Sequence, residues 1–132
     1  MPAAQAFVFF WMNACDDVAS RVVFALEGAG LGPAVPVITD GQLSGLVNKG
    51  LVVGEVNPEA ATGGPLGLVH EGDLIEIDVE ARTVDLRIDD AEWAARRARF
   101  QKIAKDTPDG WLTIYAAVVQ SLSRGAVLVD PA

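Results

Sequence analysis

The sequence predicts an α+β domain in which short strands come first and helices follow. Apolar residues recur at helical spacing near the start of the chain and again after residue 90. Two segments within 73–88 alternate between apolar and charged residues, and glycine and proline interrupt the middle of the chain. The 132 residues fit one domain, and this mixed order of elements is typical of the α+β class.

A first helix is predicted over residues 17–29, where apolar side chains recur every three to four positions. Asp16 or Asp17 can cap its start, because a carboxylate accepts hydrogen bonds from the unpaired amides of the first turn. Gly28 or Gly30 can end it, because glycine adopts the left-handed conformation that terminates many helices.

Four strands are predicted next. Residues 35–38 and 51–56 are short apolar runs, as expected of buried strands. Residues 73–79 and 83–88 alternate cleanly and form a hairpin that turns at 80–82. The side chains expected to face inward are Ile75, Ile77, Val79, Val84, Leu86 and Ile88.

The remaining elements are helical, apart from a last short strand. Residues 57–61 predict one helical turn, with Asn57 as its cap and Pro58 at its first position. Helices are predicted over 90–105 and 111–122, and a strand over 126–129. One stripe of the first of these helices carries Trp93, Arg97, Phe100 and Ala104, and the second is expected to pack inward through Leu112, Tyr115, Val118 and Val119.

The charge of the chain excludes some partners. Its formal net charge is -8, so a nucleic acid or an anionic membrane surface is not an expected partner. Residues 6–12 are strongly apolar but far too short to span a bilayer, and the segment lacks the basic start and small-residue cleavage site of a signal peptide. They are either a buried strand or an exposed interface that drives self-association into a homo-oligomer. The single cysteine, Cys15, forms no internal disulfide and indicates a reducing, cytoplasmic setting.

Residues 37–45 carry the most informative pattern. A short strand runs into Thr39 and Asp40, and Ser44 follows between Gly41 and Gly45. Glycines allow the backbone to approach a ligand closely, so Ser44 is placed for chemistry or ligand binding. A tight turn with a capping hydroxyl explains the same spacing.

Other polar residues offer weaker candidates. His70 could act as a general acid, but a surface position explains it better. Asp40 could bind a cation or substrate, or cap the turn that follows it. Glu55 and Glu59 could pair as acid and base, although Glu59 also suits the first turn of a helix. Lys49 could contact a substrate carboxylate.

Linked motifs over residues 21–129 resemble the C-terminal domain of the dihydroxy-acid dehydratase and 6-phosphogluconate dehydratase family. They are TDG-x-x-SG at 39–45, a G-x-x-x-G-x-V-x-PEA pattern at 50–60 and GGP-x-x-L-V from residue 63. GD-x-I-x-I-D at 72–78, AARR at 94–97 and an RGAV segment at 124–127 follow in family order.

The resemblance implies a swivelling β/β/α domain with a small, barrel-like core and packed helices. It implies that residues 20–132 are this domain and that 1–19 are an atypical segment. In the family, the domain closes over an N-terminal catalytic domain that holds an iron–sulfur cluster and most ligands of a magnesium ion. The reaction removes water from a 2,3-dihydroxy carboxylate and yields a 2-keto acid, with iron as the Lewis acid. Ser44 matches the base that takes the C2 proton, and Thr39, Asp40, Gly45 and Lys49 are the expected substrate-binding residues.

Two departures from the family pattern concern the metal and the substrate. The family's PEM glutamate, a magnesium ligand, would fall at Val18, and this chain has no glutamate there. Leu46 and Val47 follow Gly45, where many members carry a threonine, so a branched dihydroxy acid, an aldonate and a phosphorylated aldonate all stay open. Since one cysteine cannot hold a cluster, we expect the isolated chain to bind no cofactor and to be inactive. The alternative is a stand-alone swivel domain that serves as a binding or interaction module.

Overall fold

The computed structural model describes residues 16–45, 47–101 and 110–130. Helix α1 spans Asp16–Gly28, one residue earlier at each end than predicted. Its C-terminus is closed by Gly30, which has a φ of 72°, as the Leu31 amide donates to Leu26 O at 2.8 Å and the Gly30 amide to Glu27 O at 2.9 Å. This pair of bonds is the glycine-dependent helix ending that the sequence predicts.

Two small sheets follow. Strand β1 (Val37–Ile38) pairs in parallel with β2 (Val52–Val53), so both predicted strands are present but shorter. Strand β3 (Ile75–Asp78) pairs with β4 (Thr83–Leu86) in the antiparallel hairpin that the alternation predicts. The two sheets share no strand, and the described residues form no closed barrel.

Two short 3₁₀ helices, Ala60–Thr62 and Pro65–Leu68, lie between the sheets. The predicted cap at Asn57 is wrong. Glu59 precedes the first helical residue, and Asn57 Nδ2 donates to Glu55 O at 2.6 Å. Gly64 lies so close to Pro58 that a β-carbon on it would be 1.7 Å from the Pro58 carbonyl oxygen. Only glycine fits between the two 3₁₀ helices.

The hydrophobic core lies where the two sheets meet the 3₁₀ helices. Its buried members are Ile38, Ala60, Leu66 and Ile75. Two of the side chains expected to face inward do not: Val79 is 66% exposed and Val84 is 41% exposed. Val79 follows the last residue of β3, in the turn beyond the core. Val84 lies on β4, whose first three residues are all exposed.

Helix α2 spans Asp90–Arg99, shorter than the predicted 90–105. Asp89 caps its start by accepting a hydrogen bond from the Glu92 amide at 2.7 Å. The helix stops because Phe100 leaves the helical conformation, with a ψ of 126°. The Phe100 ring then packs beside Gly63 and Gly67, where an added β-carbon would be 3.3 and 3.1 Å away.

Helix α3 spans Trp111–Val118 and buries none of its residues. The prediction that Leu112 and Tyr115 pack inward is therefore wrong, since they are 57% and 39% exposed. The last strand is reduced to one antiparallel bridge, between Val119 and Leu128. No other element of the described chain covers the apolar surface of α3.

The α+β class is confirmed, whereas the barrel-like core is not found among the described residues. Residues 6–12, Cys15 and the helix predicted beyond residue 101 lie outside the described ranges, and the division into 1–19 and 20–132 stays a prediction. Of the helices in 16–45, 47–101 and 110–130, none has both the length and the apolar character needed to cross a bilayer.

Candidate functional site

The carboxyl ends of β1 and β2 place the candidate residues together. The Val37 amide donates to Leu51 O and the Thr39 amide to Val53 O, both at 2.9 Å. Because the strands are parallel, the chain leaves both at the same edge of the sheet. The loop that contains Ser44 leaves β1 there, beside the segment that leads from β2 to the first 3₁₀ helix.

Thr39 and Asp40 open this loop, and both side chains hold other parts of the chain. Thr39 is 7% exposed, and its Oγ1 accepts a hydrogen bond from the Gly41 amide at 3.0 Å. Asp40 is half-buried, and its Oδ2 accepts a hydrogen bond from the Ala60 amide at 2.7 Å. The two expected substrate-binding residues thus fix the start of the loop.

Ser44 lies in irregular backbone between the strands and is half-buried, while Gly45 is exposed. The Ser44 carbonyl oxygen accepts a hydrogen bond from the Val47 amide at 2.9 Å, and this bond closes a turn directly after the serine. Lys49 is exposed near the far end of the same connection. The structure therefore brings Thr39, Asp40, Ser44 and Gly45 into one loop and leaves Lys49 at its exposed end.

Leu43, the residue before Ser44, packs against Gly54. A β-carbon at position 54 would lie 2.5 Å from Leu43 Cδ1, so the space that a side chain would fill is occupied by the leucine. In the same segment the Glu55 amide donates to Gly41 O at 3.2 Å. The glycine that the sequence places after β2 thus provides the surface on which the serine loop rests.

The predicted acid–base pair of Glu55 and Glu59 is not supported by the contacts of Glu59. Glu55 is exposed, whereas Glu59 Oε1 accepts a hydrogen bond from the Leu122 amide at 2.8 Å. This bond ties the first 3₁₀ helix to the last part of the chain. Glu59 Oε2 is buried without a hydrogen-bond partner.

A buried ion pair connects two of the motifs in a way that the sequence analysis did not find. Arg96 of α2 forms a two-pronged pair with Asp73, and its Nη2 lies 3.0 Å from Asp73 Oδ1. Arg96 also donates to Leu68 O at 3.0 Å and to Glu92 at 2.7 Å. The side chains of Arg96 and Asp73 are only 9% and 10% exposed.

The Arg96 guanidinium lowers the pKa of the Asp73 carboxyl, chiefly through their hydrogen bonds, and burial opposes this effect only in part. Asp73 in turn raises the pKa of Arg96. The spacing of Glu92 and Arg96, four residues apart on one helix, signals one part of this cluster. No local pattern signals the pairing with Asp73, which precedes Arg96 by 23 residues.

His70, the remaining polar candidate, lies outside the serine loop, as do two tryptophans, Trp93 and Trp111. His70 is exposed, and its backbone amide donates to Asp73 Oδ2 at 2.7 Å. Trp93 is half-buried and lines an open cavity with Pro65, Val84 and Leu86. Trp111 is 67% exposed.

The metal groups that the resemblance implies do not fit this chain alone. Over 16–45, 47–101 and 110–130, no three histidine, cysteine, aspartate or glutamate side chains lie in a group that could hold a metal ion. The chain has a single cysteine, whereas protein-bound iron–sulfur clusters are held by several thiolates. We therefore derive no step of the reaction through a metal held by this chain.

Comparison with known proteins covers nearly the whole chain. Residues 16–126 match the family model described as dihydroxy-acid/6-phosphogluconate dehydratase, C-terminal. The dihydroxy-acid dehydratase of Oleidesulfovibrio alaskensis is 50% identical over 103 residues, which are 78% of this chain and 18% of the relative. That of Lachnospira eligens is 45% identical over 108 residues, 82% of this chain and 19% of the relative.

The dihydroxy-acid dehydratase of Roseiflexus sp. is 48% identical over 110 residues, which are 83% of this chain and 20% of the relative. The chain thus spans about a fifth of the length of the relatives that it matches. The motifs noted in the sequence fall within residues 16–126, apart from Val127, the last residue of the RGAV segment.

Proposed function

The chain belongs to the family of C-terminal domains of dihydroxy-acid and 6-phosphogluconate dehydratases, and we propose that it supplies that domain to a hydro-lyase. The enzyme would convert a 2,3-dihydroxy carboxylate to a 2-keto acid. The observation that carries the proposal is the match over residues 16–126, together with 45–50% identity to three dihydroxy-acid dehydratases. The name of these relatives favours a dihydroxy acid over an aldonate as the substrate.

We propose Ser44 as the base of the reaction. As an alkoxide, its Oγ takes the proton from C2 of the substrate, and the C2–H electron pair forms a C2–C3 double bond as the C3 hydroxyl group leaves with the C3–O electron pair. The departing hydroxide and the proton held by Ser44 together give the water that is lost. The enol then becomes the 2-keto acid as its hydroxyl proton leaves and C3 gains a proton. A serine hydroxyl is a weak base unless positive charge stabilises its alkoxide. The half-buried position of Ser44 in a loop supports the proposal, because such a side chain can face a partner that brings this charge.

The rest of the site is assigned to this chain and to a partner. Gly45 leaves room for the substrate beside the serine, and the Lys49 ammonium group can bind the substrate carboxylate. The partner is an N-terminal catalytic domain of the same family, which would hold the iron–sulfur cluster and the magnesium ion. By this proposal the chain is inactive alone and works in the cytoplasm as a swivelling domain.

A domain exchange tests this function. Residues 16–130 of this chain would replace the matching segment of the Oleidesulfovibrio alaskensis dehydratase, and 2-keto acid formation from a branched dihydroxy acid would be followed. We expect turnover in the hybrid enzyme. Ser44→Ala should lower kcat by about 10²–10⁴-fold, the usual contribution of a positioned base.

Ser123→Ala is the matched control, because Ser123 is exposed and its hydroxyl bonds only to Ser121 among the described contacts. It should leave kcat within twofold of the parent hybrid. An equal loss in both variants, or near-normal turnover in Ser44→Ala, would reject the assignment of Ser44. A folded hybrid that makes no 2-keto acid from either a dihydroxy acid or an aldonate would reject the hydro-lyase function.

A further inference from the structure

The first residues of the loop that carries Ser44 are bonded to the end of β2 and the segment that follows it. Thr39 bonds to Val53 and Val56 through its backbone, and Gly41 accepts the Glu55 amide proton. All of these partners lie on the segment 53–56. A loop fixed to one neighbouring segment can still pivot about it, so its direction needs a second point of attachment.

Asp40 provides the second attachment. Its Oδ2 lies 2.7 Å from the Ala60 amide nitrogen, across 20 residues of sequence. Ala60 is 2% exposed and begins a 3₁₀ helix, so its amide proton has no partner within that helix and little access to water. Glu59, at the cap position, makes no side-chain cap bond. Asp40 therefore caps this helix from another part of the chain.

The Asp40 bond joins the serine loop to the core. Ala60 belongs to the core cluster with Ile38, Leu66 and Ile75. An oxygen that must satisfy a buried amide cannot leave it for a ligand without exposing that amide to a desolvation penalty. This constraint fixes the position of the Asp40 side chain, as an anchor requires.

We propose that Asp40 is a positioning residue for Ser44, and that it holds the serine loop against the first 3₁₀ helix by accepting a hydrogen bond from the Ala60 amide. The function of the bond rests on the proposed role of Ser44, but its existence does not. What Asp40 supplies is an acceptor at a fixed distance, and its negative charge is secondary. An amide oxygen can therefore replace the carboxylate, whereas a carboxylate moved by one methylene group cannot.

The test compares Asp40→Asn, Asp40→Glu and Asp40→Ala in the 132-residue chain labelled with ¹⁵N. Asn keeps the acceptor and loses the charge, and Glu keeps the charge and moves the acceptor. We expect Asp40→Glu and Asp40→Ala to speed exchange of the Ala60 amide about tenfold and to lower the order of residues 42–45. Asp40→Asn should stay within about threefold of the parent chain.

Asp78→Ala is the matched control, because Asp78 Oδ1 accepts the Ala81 amide proton at 2.8 Å in the hairpin turn. It should speed exchange at Ala81 and leave residues 42–45 unchanged. If all three Asp40 variants leave residues 42–45 as ordered as in the parent, the proposal is wrong. It is also wrong if Asn loosens the loop as much as Glu does. Should Asp40→Ala fail to fold, the contrast between Asn and Glu still decides.

The hybrid dehydratase adds a kinetic measurement. A positioning role predicts that Asp40→Glu lowers kcat more than Asp40→Asn does, with KM within twofold. A ligand that binds metal or substrate through its charge predicts the reverse order and a higher KM. If Ser44→Ala keeps its turnover while the loop measurements come out as expected, the proposed base is wrong and the Asp40 anchor stands.

Discussion

At the scale of single residues, the polar side chains of the family motifs serve largely to hold the domain together. Asp40 and Glu59 both accept hydrogen bonds from backbone amides in distant segments, which lie 20 and 63 residues away in the sequence. Asp73 and Arg96 pair between the start of the hairpin and α2. A motif residue in this chain is thus as often a structural contact as a candidate for chemistry.

The Asp73–Arg96 pair predicts a clear loss of stability. Asp73→Asn breaks the two-pronged pair and leaves Glu92 as the remaining carboxylate beside the Arg96 guanidinium, so the loss of stability should exceed that of breaking an exposed pair. Urea unfolding at pH 7 measures the loss. Glu76→Gln is the control, because Glu76 and Arg87 pair with side chains 42% and 52% exposed. An exposed pair contributes about 1 kcal/mol or less, so similar losses in both variants would contradict the argument.

The same pair predicts how stability depends on pH. The pKa of Asp73 is lower in the folded chain than its ordinary value of 3.8, so the folded state favours the charged carboxylate. The stabilisation is complete above the unfolded pKa and is lost as the pH falls through the folded pKa. The difference between the parent chain and Asp73→Asn should therefore be constant from pH 7 to 5 and shrink below about pH 4. A difference that grows on acidification would contradict this.

At the scale of secondary-structure elements, α3 departs most from the expected pattern. Trp111, Leu112 and Ile114 are all more than half exposed on a helix that has no buried residue. Helices that are apolar around their circumference are ordinarily covered. Periodicity predicted the presence and the start of the helix, which ends four residues earlier than predicted, but it could not show whether another part of the chain covers it.

Exposed apolar side chains on α3 predict binding of a hydrophobic dye. The double variant Leu112→Glu and Ile114→Glu should lower the fluorescence of bound anilinonaphthalene sulfonate at least twofold, because it removes part of an exposed apolar patch. The melting temperature should change little, since surface substitutions usually alter stability by about 0.5 kcal/mol or less. A melting temperature lowered by 10 °C or more would mean that these side chains are buried in solution.

At the scale of the whole molecule, the chain is one part of a longer catalytic unit in the function proposed here. Its described residues combine a serine loop, two small sheets and an apolar helix, without a group of metal ligands among them. The matched residues make up only 18% and 19% of the length of two of the relatives. In the proposed function, the chemistry of the reaction is divided between this chain and a partner domain.

This division predicts that the purified chain binds no iron–sulfur cluster. After anaerobic reconstitution with iron and sulfide, we expect less than about one tenth of an equivalent of iron per chain, because one thiolate does not hold a cluster. Absorbance above 400 nm and an iron assay measure this. The hybrid dehydratase, treated in parallel, is the positive control. One cluster per chain, in a monomer, would contradict the prediction.

The sequence by itself determined the order of the α-helices and of the four paired strands, the presence of a glycine at the end of α1, and the family. Periodicity, turn residues and linked motifs are local properties, and residues close in sequence meet whatever the rest of the chain does. It also marked Ser44 and its loop, because the glycines on both sides are visible in the chain.

Only the tertiary structure decided which distant groups meet. The bond from Asp40 to Ala60 and the pair of Asp73 with Arg96 depend on how loops of about 20 residues close, and no local pattern records that. The end of α2 at Arg99 likewise depends on Phe100 packing beside Gly63, and the exposure of α3 on the absence of a covering element in the described chain. At the end of α2, packing competes with the local preference for helix, and packing prevails.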